Sequence, residues 1–241
     1  MPAERPVGAE TQVGLSPPVR SVLADDVYRI LRKSLISGRI APGARLNLDL
    51  LAREMHVSNT PVRQALALLE SEGLVGREPF RGYSVSRLLD SRTIADLYDY
   101  RLLVEPPTAA RAAQQPQHDC LSNLFELCDP HEIDALLASG AVSELGQRDI
   151  AFHVGIAQIA GNSVVVDNLA ITLSKMLLYT VYDRHGAGEL AWEEHRSITD
   201  ALATGDSRRA ADAMRKHLAS GFERMKAARQ NTPRSSTDSN A

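Results

Sequence analysis

Three histidines and one aspartate in the second half of the chain have a spacing that could bind a metal ion. Asp149 and His153 are four residues apart, which puts both side chains on one face of a helix, one turn apart. His195 and His217 lie on the last two predicted helices, and each is 11 residues from Asp206 in the turn between them. In an antiparallel helix pair, equal distance from the turn means equal height, about 16 Å at 1.5 Å per residue. The two imidazoles could therefore face one another.

This set of side chains matches the preferences of a divalent transition metal. Three imidazoles and one carboxylate suit Zn, Ni or Mn, and they leave coordination positions for water or an anionic ligand. The alternative interpretation is structural, because a single interior histidine is usually a hydrogen-bonded core residue, and Asp149 could form a surface ion pair. Spacing alone leaves both interpretations open.

Residues 20–88 have the pattern of a winged helix-turn-helix, a fold that binds DNA. Helical spacing of apolar residues predicts helices at 25–37, from just after Asn47 to about Val57, and from Thr60, the predicted N-cap, to Gly73. Pro61 suits the first helical position. Two short strands are then predicted at 74–77 and 83–86, on either side of a turn.

The third helix is the predicted recognition helix, which would enter the major groove of DNA. Its apolar residues point inward, and this leaves Arg63 on the solvent face, where it could contact guanine or phosphate. Ser58 and Thr60 could bind phosphates at the helix start, and Asn59 could bind an adenine. Arg81, at the tip of the hairpin, could enter the minor groove or meet the backbone. The alternative is that Arg63 and Arg81 are ordinary solvated charges.

The distribution of charge favours the DNA-binding interpretation. The whole chain carries a net charge of -3, but residues 20–88 contain 11 Lys and Arg against 7 Asp and Glu, a net +4. Residues 89–241 carry a net -6. A basic N-terminal third and an acidic remainder are expected to meet different partners.

The N-terminal part resembles the DNA-binding domain of GntR-family transcription regulators over about 65 residues. The matching residues are Leu31-Arg32, Gly38, Pro42-Gly43, Leu50-Leu51-Ala52, Val57-Ser58, Thr60-Pro61-Val62-Arg63-Gln64-Ala65-Leu66, Leu69-Glu70, Glu72-Gly73-Leu74 and Arg81-Gly82. The resemblance adds Arg32, Gln64 and Gly82 to the expected DNA-binding residues. This family usually has Arg where the chain has Asn59, so a common operator contact is expected to be altered or lost.

Residues 91–229 predict a second, all-helical domain, so the fold class is mainly α. About six helices are expected, at roughly 91–113, 117–138, 143–160, 164–184, 189–204 and 207–229. Pro106-Pro107 should kink or break the first of them. The tails at 1–19 and 230–241 are rich in Pro, Ser, Thr and other polar residues, and both are expected to be disordered.

The helical domain resembles the FCD effector domain of the FadR subfamily, and its six predicted helices resemble the VanR-type branch. The matching segments are Arg148-Asp149-Ile150-Ala151-Phe152-His153, Gly161-Asn162, Glu194-His195-Arg196, Gly205-Asp206 and the surroundings of His217. The resemblance implies a metal bound by Asp149, His153, His195 and His217. It also implies that Arg101 faces the effector pocket and holds a carboxylate. The residues themselves allow another role for Arg101, an ion pair with Glu105 at i+4.

These observations predict a ligand-responsive DNA-binding regulator, a repressor whose operator affinity is altered by a small carboxylate bound at the metal. We expect a homodimer on an inverted-repeat operator, located in the bacterial cytoplasm and on the nucleoid when bound to DNA, because the N-terminus lacks the apolar segment of a secretory signal. The sequence contains no Gly-x-Ser-x-Gly motif, phosphate-binding glycine loop or reactive cysteine setting. The alternatives are a metal-dependent, hydrolase-like enzyme and a regulator with a purely structural metal.

Overall fold

The computed structural model describes residues 22–115, 118–182 and 188–231, and within these ranges it confirms the predicted fold class. An N-terminal winged helix-turn-helix precedes a bundle of seven helices. The elements in order are α1 (Val22–Ile36), β1 (Arg45–Leu46), α2 (Leu48–Glu54), α3 (Asn59–Ser71), β2 (Val75–Glu78), β3 (Gly82–Val85), α4 (Ser91–Ala112), α5 (His118–Leu127), α6 (Pro130–Ser139), α7 (Val142–Ile159), α8 (Ser163–Tyr182), α9 (Glu189–Ala203) and α10 (Ser207–Asn231). The predicted N-terminal tail, residues 1–19, lies outside the described residues. Of the predicted C-terminal tail, only residues 230–231 are described, and they are helical.

The N-terminal domain forms around the buried faces of α1 and α3. The inward positions of α3 are fully buried, as its periodicity predicts, and they pack on the apolar stripe of α1; the buried residues are Val27, Leu31, Leu35, Val62, Ala65, Leu66 and Leu69. Asn47 is the N-cap of α2, as predicted, because its side chain accepts hydrogen bonds from the backbone N–H groups of Asp49 and Leu50.

The start of the recognition helix differs from the prediction. Helix α3 begins at Asn59 with Ser58 as its N-cap, so the prediction that Thr60 is the cap was wrong. Pro61 is then the third helical residue. Because the first four N–H groups of a helix have no partner within the helix, a proline at this position removes no hydrogen bond.

The wing is a hairpin in a small antiparallel sheet. Strands β2 and β3 pair with Val75 opposite Val85 and Glu78 opposite Gly82. A third strand, β1, joins the free edge of β3, giving the order β1-β3-β2. This two-residue strand was not predicted, because it is too short to show an alternating pattern.

The C-terminal part of the described structure contains seven helices, and the prediction of about six was wrong. The predicted helix at 117–138 is two helices, α5 and α6. Pro130 lacks the N–H that a continuous helix would need, and the Asp129 side chain caps α6 by accepting from the backbone N–H groups of His131 and Glu132. The helix count therefore gives no support to the VanR-type branch.

Helix α4 continues through Pro106-Pro107, so the expected break does not occur. Two prolines in a helix interior remove two backbone donors, which weakens the helix locally. Tertiary packing compensates, because Pro106 is buried and α4 packs along α10 and against α7. None of the helices in the described ranges combines the length and the apolar character needed to cross a membrane.

Candidate metal centre and DNA-binding surface

The structure brings Asp149, His153, His195 and His217 together between three helices. Asp149 and His153 come from α7, His195 from α9 and His217 from α10. One donor atom from each of the four lies within 4.8 Å of all the others. The Nε2 atoms of His195 and His217 are 3.2 Å apart, and Oδ1 of Asp149 is 3.4 Å from Nε2 of His195. The equal-height argument for the last two helices therefore places these imidazoles correctly.

Burial favours the neutral, metal-binding form of two imidazoles in this cluster, those of His195 and His217. All three histidines are buried, whereas the Asp149 side chain is 25% exposed. Burial, and then the neighbouring imidazoles of His217 and His153, hold the pKa of His195 well below its ordinary value. Burial also lowers the pKa of His217, against the opposing hydrogen bond to Glu194. Neutral imidazoles offer lone pairs to a metal without first losing a proton.

Two carboxylates outside the cluster orient two of the histidines. Nδ1 of His217 makes a 2.9 Å hydrogen bond with Oε2 of Glu194. Nδ1 of His153 lies 2.5 Å from Oε2 of Glu105, in a close contact that lacks the geometry of a hydrogen bond. With the ring proton on Nδ1, Nε2 of His217 presents its lone pair to the centre of the cluster. Nε2 of His153 instead accepts from the Arg101 guanidinium at 3.1 Å, a contact that a metal ion at this nitrogen would have to replace. Histidines that bind metals usually donate their other ring N–H to such a partner.

The donors fit a divalent transition metal. Two nitrogen ligands at about 2.1 Å from one ion lie roughly 3.0 Å apart at a right angle and about 3.4 Å apart at the tetrahedral angle. The 3.2 Å between His195 and His217 lies between these values. His195 is held by packing instead of by a carboxylate: its ring stacks on Phe152 at 4.1 Å, and Trp192 meets it edge-on at 4.8 Å. Within the described residues, its buried Nδ1 has no hydrogen-bond partner. The group could hold a metal ion, and metal binding by these residues stays a prediction.

Arg101 is buried beside the cluster and forms the ion pair that the sequence suggested, together with a contact to His153 that it did not. Its Nε lies 2.5 Å from Oε1 of Glu105, which is the i+4 ion pair, and its Nη2 lies 3.1 Å from Nε2 of His153. Burial opposes ionisation of Glu105, but Arg101 and His153 outweigh it and hold the pKa of that carboxyl well below its ordinary value. An anion at the cluster would therefore meet a fixed positive charge.

Sequence reasoning missed Glu194 and Arg224. Arg224 on α10 makes two hydrogen bonds to the Glu194 carboxylate, at 3.0 and 2.8 Å. Burial raises the pKa of Glu194, but the hydrogen bonds from His217 and Arg224 outweigh it and bring the pKa to about 2. The available signal was the seven-residue step from His217 to Arg224, which places both on one helix face.

Most of the expected DNA-binding residues lie on two exposed surfaces of the N-terminal domain. The start of α3 exposes Ser58, Asn59, Thr60, Arg63 and Gln64, and the wing exposes Arg81 and Gly82. The Asn59 amide donates a 2.7 Å hydrogen bond to Asp49, so its orientation is fixed by α2. We call these seven residues the DNA-binding surface.

Arg32 is not part of this surface. It lies on α1, where its Nε is 3.1 Å from Oε2 of Glu72 and its Nη1 is 2.9 Å from Oε1 of Gln147 on α7. Its side chain is 23% exposed. In this structure Arg32 joins the two domains, a position that the sequence could not reveal.

Comparison with known proteins identifies both domains. Residues 23–85 match the model for bacterial regulatory proteins of the gntR family, and residues 96–220 match the FCD domain. An HTH-type transcriptional regulator in an unstable DNA locus of Streptomyces ambofaciens is 31% identical over 224 residues, covering 86% of this chain and 87% of that protein. The HTH-type transcriptional repressor RspR of Escherichia coli K12 is 27% identical, and the match covers 92% of this chain and 95% of that protein. The solved structure of a GntR regulator from Rhodococcus sp. RHA1 matches with a TM-score of 0.68 and 25% identity, covering 86% of this chain and 99% of that protein.

Proposed function

Because the chain belongs to the GntR family of bacterial transcription regulators and carries an FCD domain, we propose that it is a repressor whose operator affinity is set by a small carboxylate bound at a divalent metal. Its family and its relatives are regulators of transcription, and this chain is likewise a regulator and not an enzyme. The observation that carries the proposal is the convergence of Asp149 with three buried histidines from different helices.

The DNA-binding surface supports recognition of an inverted repeat by a homodimer. One short helix reaches only a few base pairs, so specific affinity requires two half-sites related by the symmetry of a dimer. Repression is proposed because relatives such as RspR and GlaR of Escherichia coli are named repressors. Such a protein would act in the cytoplasm and on the nucleoid.

We further propose that Asp149, His153, His195 and His217 hold Zn, Ni or Mn. When bound, the ion would supply positive charge and coordination positions to an anionic effector. Glu105 and Glu194 would keep His153 and His217 oriented, as their contacts with the Nδ1 atoms indicate.

Arg101 is the proposed second anchor of the effector. Its guanidinium is buried next to His153 and keeps its charge. A carboxylate could therefore form a charge-assisted hydrogen bond there. Access would be from the side of Asp149, whose side chain reaches solvent.

A thermal-shift screen of small carboxylates, with and without added divalent metal, tests the proposal. We expect a subset of acids to raise the melting temperature only when metal is present, and the same acids to release operator DNA. The Arg101→Met variant should lose much of the acid response, and the His131→Ala variant, which alters an exposed histidine on α6, should keep it. An acid response that is equal with and without metal would contradict the proposed site.

A second candidate is a purely structural metal, which the burial of all three imidazoles favours. It predicts that a chelator lowers the melting temperature while no acid changes either melting or operator binding. The same screen therefore separates the two.

A further inference from the structure

The tip of the wing exposes an aromatic side chain in an unusual backbone conformation. Phe80 lies in the three-residue loop between β2 and β3, and its side chain is fully exposed. Its φ is +63°, in the left-handed region that bulky residues rarely adopt. An exposed aromatic ring in a strained backbone points to a function for this position.

The hairpin holds this ring out in a defined place. The Arg81 N–H donates to the Glu78 carbonyl at 3.1 Å and closes the loop, and Gly82 follows with φ +79°. Arg81 is exposed, with only a long 3.4 Å contact to the Glu78 carboxylate, so its charge is available beside the ring. The tip thus combines an apolar wedge with a cation.

We propose that Phe80 is an operator-contact residue that inserts between two base pairs from the minor groove, with Arg81 against the neighbouring phosphates. Apolar side chains that enter the minor groove unstack a base step and kink the duplex. Pyrimidine–purine steps deform most easily, so a TA or CA/TG step is expected where the tip meets each half-site. The proposal rests on the DNA-binding function and adds a contact and a sequence preference to it.

The test uses the whole chain and a DNA duplex that the wild-type protein selects in vitro. The fluorescent base 2-aminopurine is placed in this duplex at one position at a time, next to the half-sites. Wild-type protein should raise the fluorescence at one step per half-site. The Phe80→Ala variant should abolish this rise and lose about 5- to 150-fold in affinity, the range for one base stacked on an aromatic ring. Phe80→Trp should keep both properties. Phe125→Ala, which removes an exposed ring on α5, should behave as the wild type.

Two results would overturn the wedge: unchanged affinity and fluorescence in Phe80→Ala, or affinity loss without any fluorescence rise in the wild type. Failure of the wild type to select any DNA would instead contradict the proposed function itself.

Independently, a chain of polar contacts joins α7, the helix that carries Asp149 and His153, to the end of the recognition helix. Gln147 lies two residues before Asp149 on α7 and accepts from Arg32 on α1 at 2.9 Å. Arg32 also donates to Glu72, the C-cap of α3, at 3.1 Å, and the Tyr28 hydroxyl donates to the same carboxylate. We call Tyr28, Arg32, Glu72 and Gln147 the interdomain latch.

The surroundings allow this latch to open. A cleft of about 460 Å³ lies beside it, lined by α1 and by the start of α7. Elsewhere the domains remain in contact, because Leu178 of α8 packs in the N-terminal core and the Lys175 side chain lies against Gly73. We infer that a shift of α7 at the metal cluster breaks or remakes the Arg32–Gln147 bond and so moves the end of the recognition helix. This second inference rests on the proposed effector response.

The experiment compares operator affinity in metal-loaded and metal-stripped protein, with bound metal measured by elemental analysis. Gln147→Ala should keep its metal content but reduce the ratio of the two affinities at least about fivefold, within the range of allosteric coupling. Gln158→Ala, an exposed glutamine on the same helix, should keep the wild-type ratio. An unchanged ratio in Gln147→Ala contradicts the latch alone. A wild type whose operator affinity ignores metal also contradicts the latch alone, because the proposed function requires a response to the bound carboxylate and is tested by the thermal-shift screen.

Discussion

Removing one member of the buried Arg101–Glu105 pair should destabilise the protein far more than removing both. Arg101 is 4% exposed and Glu105 is 2% exposed, and they meet at 2.5 Å. Glu105→Leu would leave the guanidinium buried without its carboxylate, which typically costs about 3 to 5 kcal/mol. The double variant Arg101→Met with Glu105→Leu replaces both charges by apolar volume, and such replacements are often neutral. Because it also removes the contacts of buried His153 with both side chains, it should recover most but not all of the stability.

Urea denaturation of metal-free protein measures the effect without the complication of metal affinity. At about 2 to 4 °C per kcal/mol for a chain of this size, Glu105→Leu should also lower Tm by roughly 6 to 20 °C. Glu223→Leu is the matched control, because Glu223 forms an exposed pair with Lys226 that should contribute less than about 1 kcal/mol. A Glu105→Leu variant as stable as the double variant would refute the reasoning that the pair is a coupled buried unit.

Further predictions concern the core, the site and its pH response. Leu66→Ala should lower the free energy of unfolding by about 2 to 5 kcal/mol in urea denaturation, because its side chain is fully buried on the inward face of the recognition helix. Glu194→Gln should weaken metal binding about 10- to 100-fold in chelator competition, since it removes the charge that orients His217. The pKa of His195 is lowered in the folded state, so below pH about 6.5 the unfolded chain binds a proton at this imidazole that the folded chain does not. The free energy of unfolding of the metal-free protein should therefore be highest above pH about 6.5 and fall as the pH drops below it. Arg63→Ala should cost about 1 to 3 kcal/mol of operator binding and relax base preference at one position in gel shifts.

Helical geometry explains why much of the candidate site could be predicted. The four-residue step from Asp149 to His153 and the equal distances of His195 and His217 from Asp206 depend only on regular helices and one turn. The chain forms all three of these helices, so the ligands converge. The inward face of α3 follows from the same periodicity.

The rest depends on tertiary packing, which a single sequence does not display. Nothing local indicates that Glu105 and Glu194 meet His153 and His217, because each carboxylate reaches a histidine on a different helix. The continuity of α4 through Pro106-Pro107 likewise depends on its packing against α10 and α7, which overrides the local tendency to break.

The sequence also did not indicate how the two domains pack against each other. The family resemblance favoured DNA contact for Arg32. The fold instead places its guanidinium between Glu72 of the recognition helix and Gln147 of the effector domain.

The most direct test of the account is elemental analysis of the His195→Ala, His217→Ala double variant beside the wild type and His131→Ala, with operator binding titrated in the same samples. The account predicts about one divalent ion per chain in the wild type and in His131→Ala, little metal in the double variant, and loss of its response to carboxylates. A double variant that keeps its full metal content and an unchanged ligand response would contradict the assigned site.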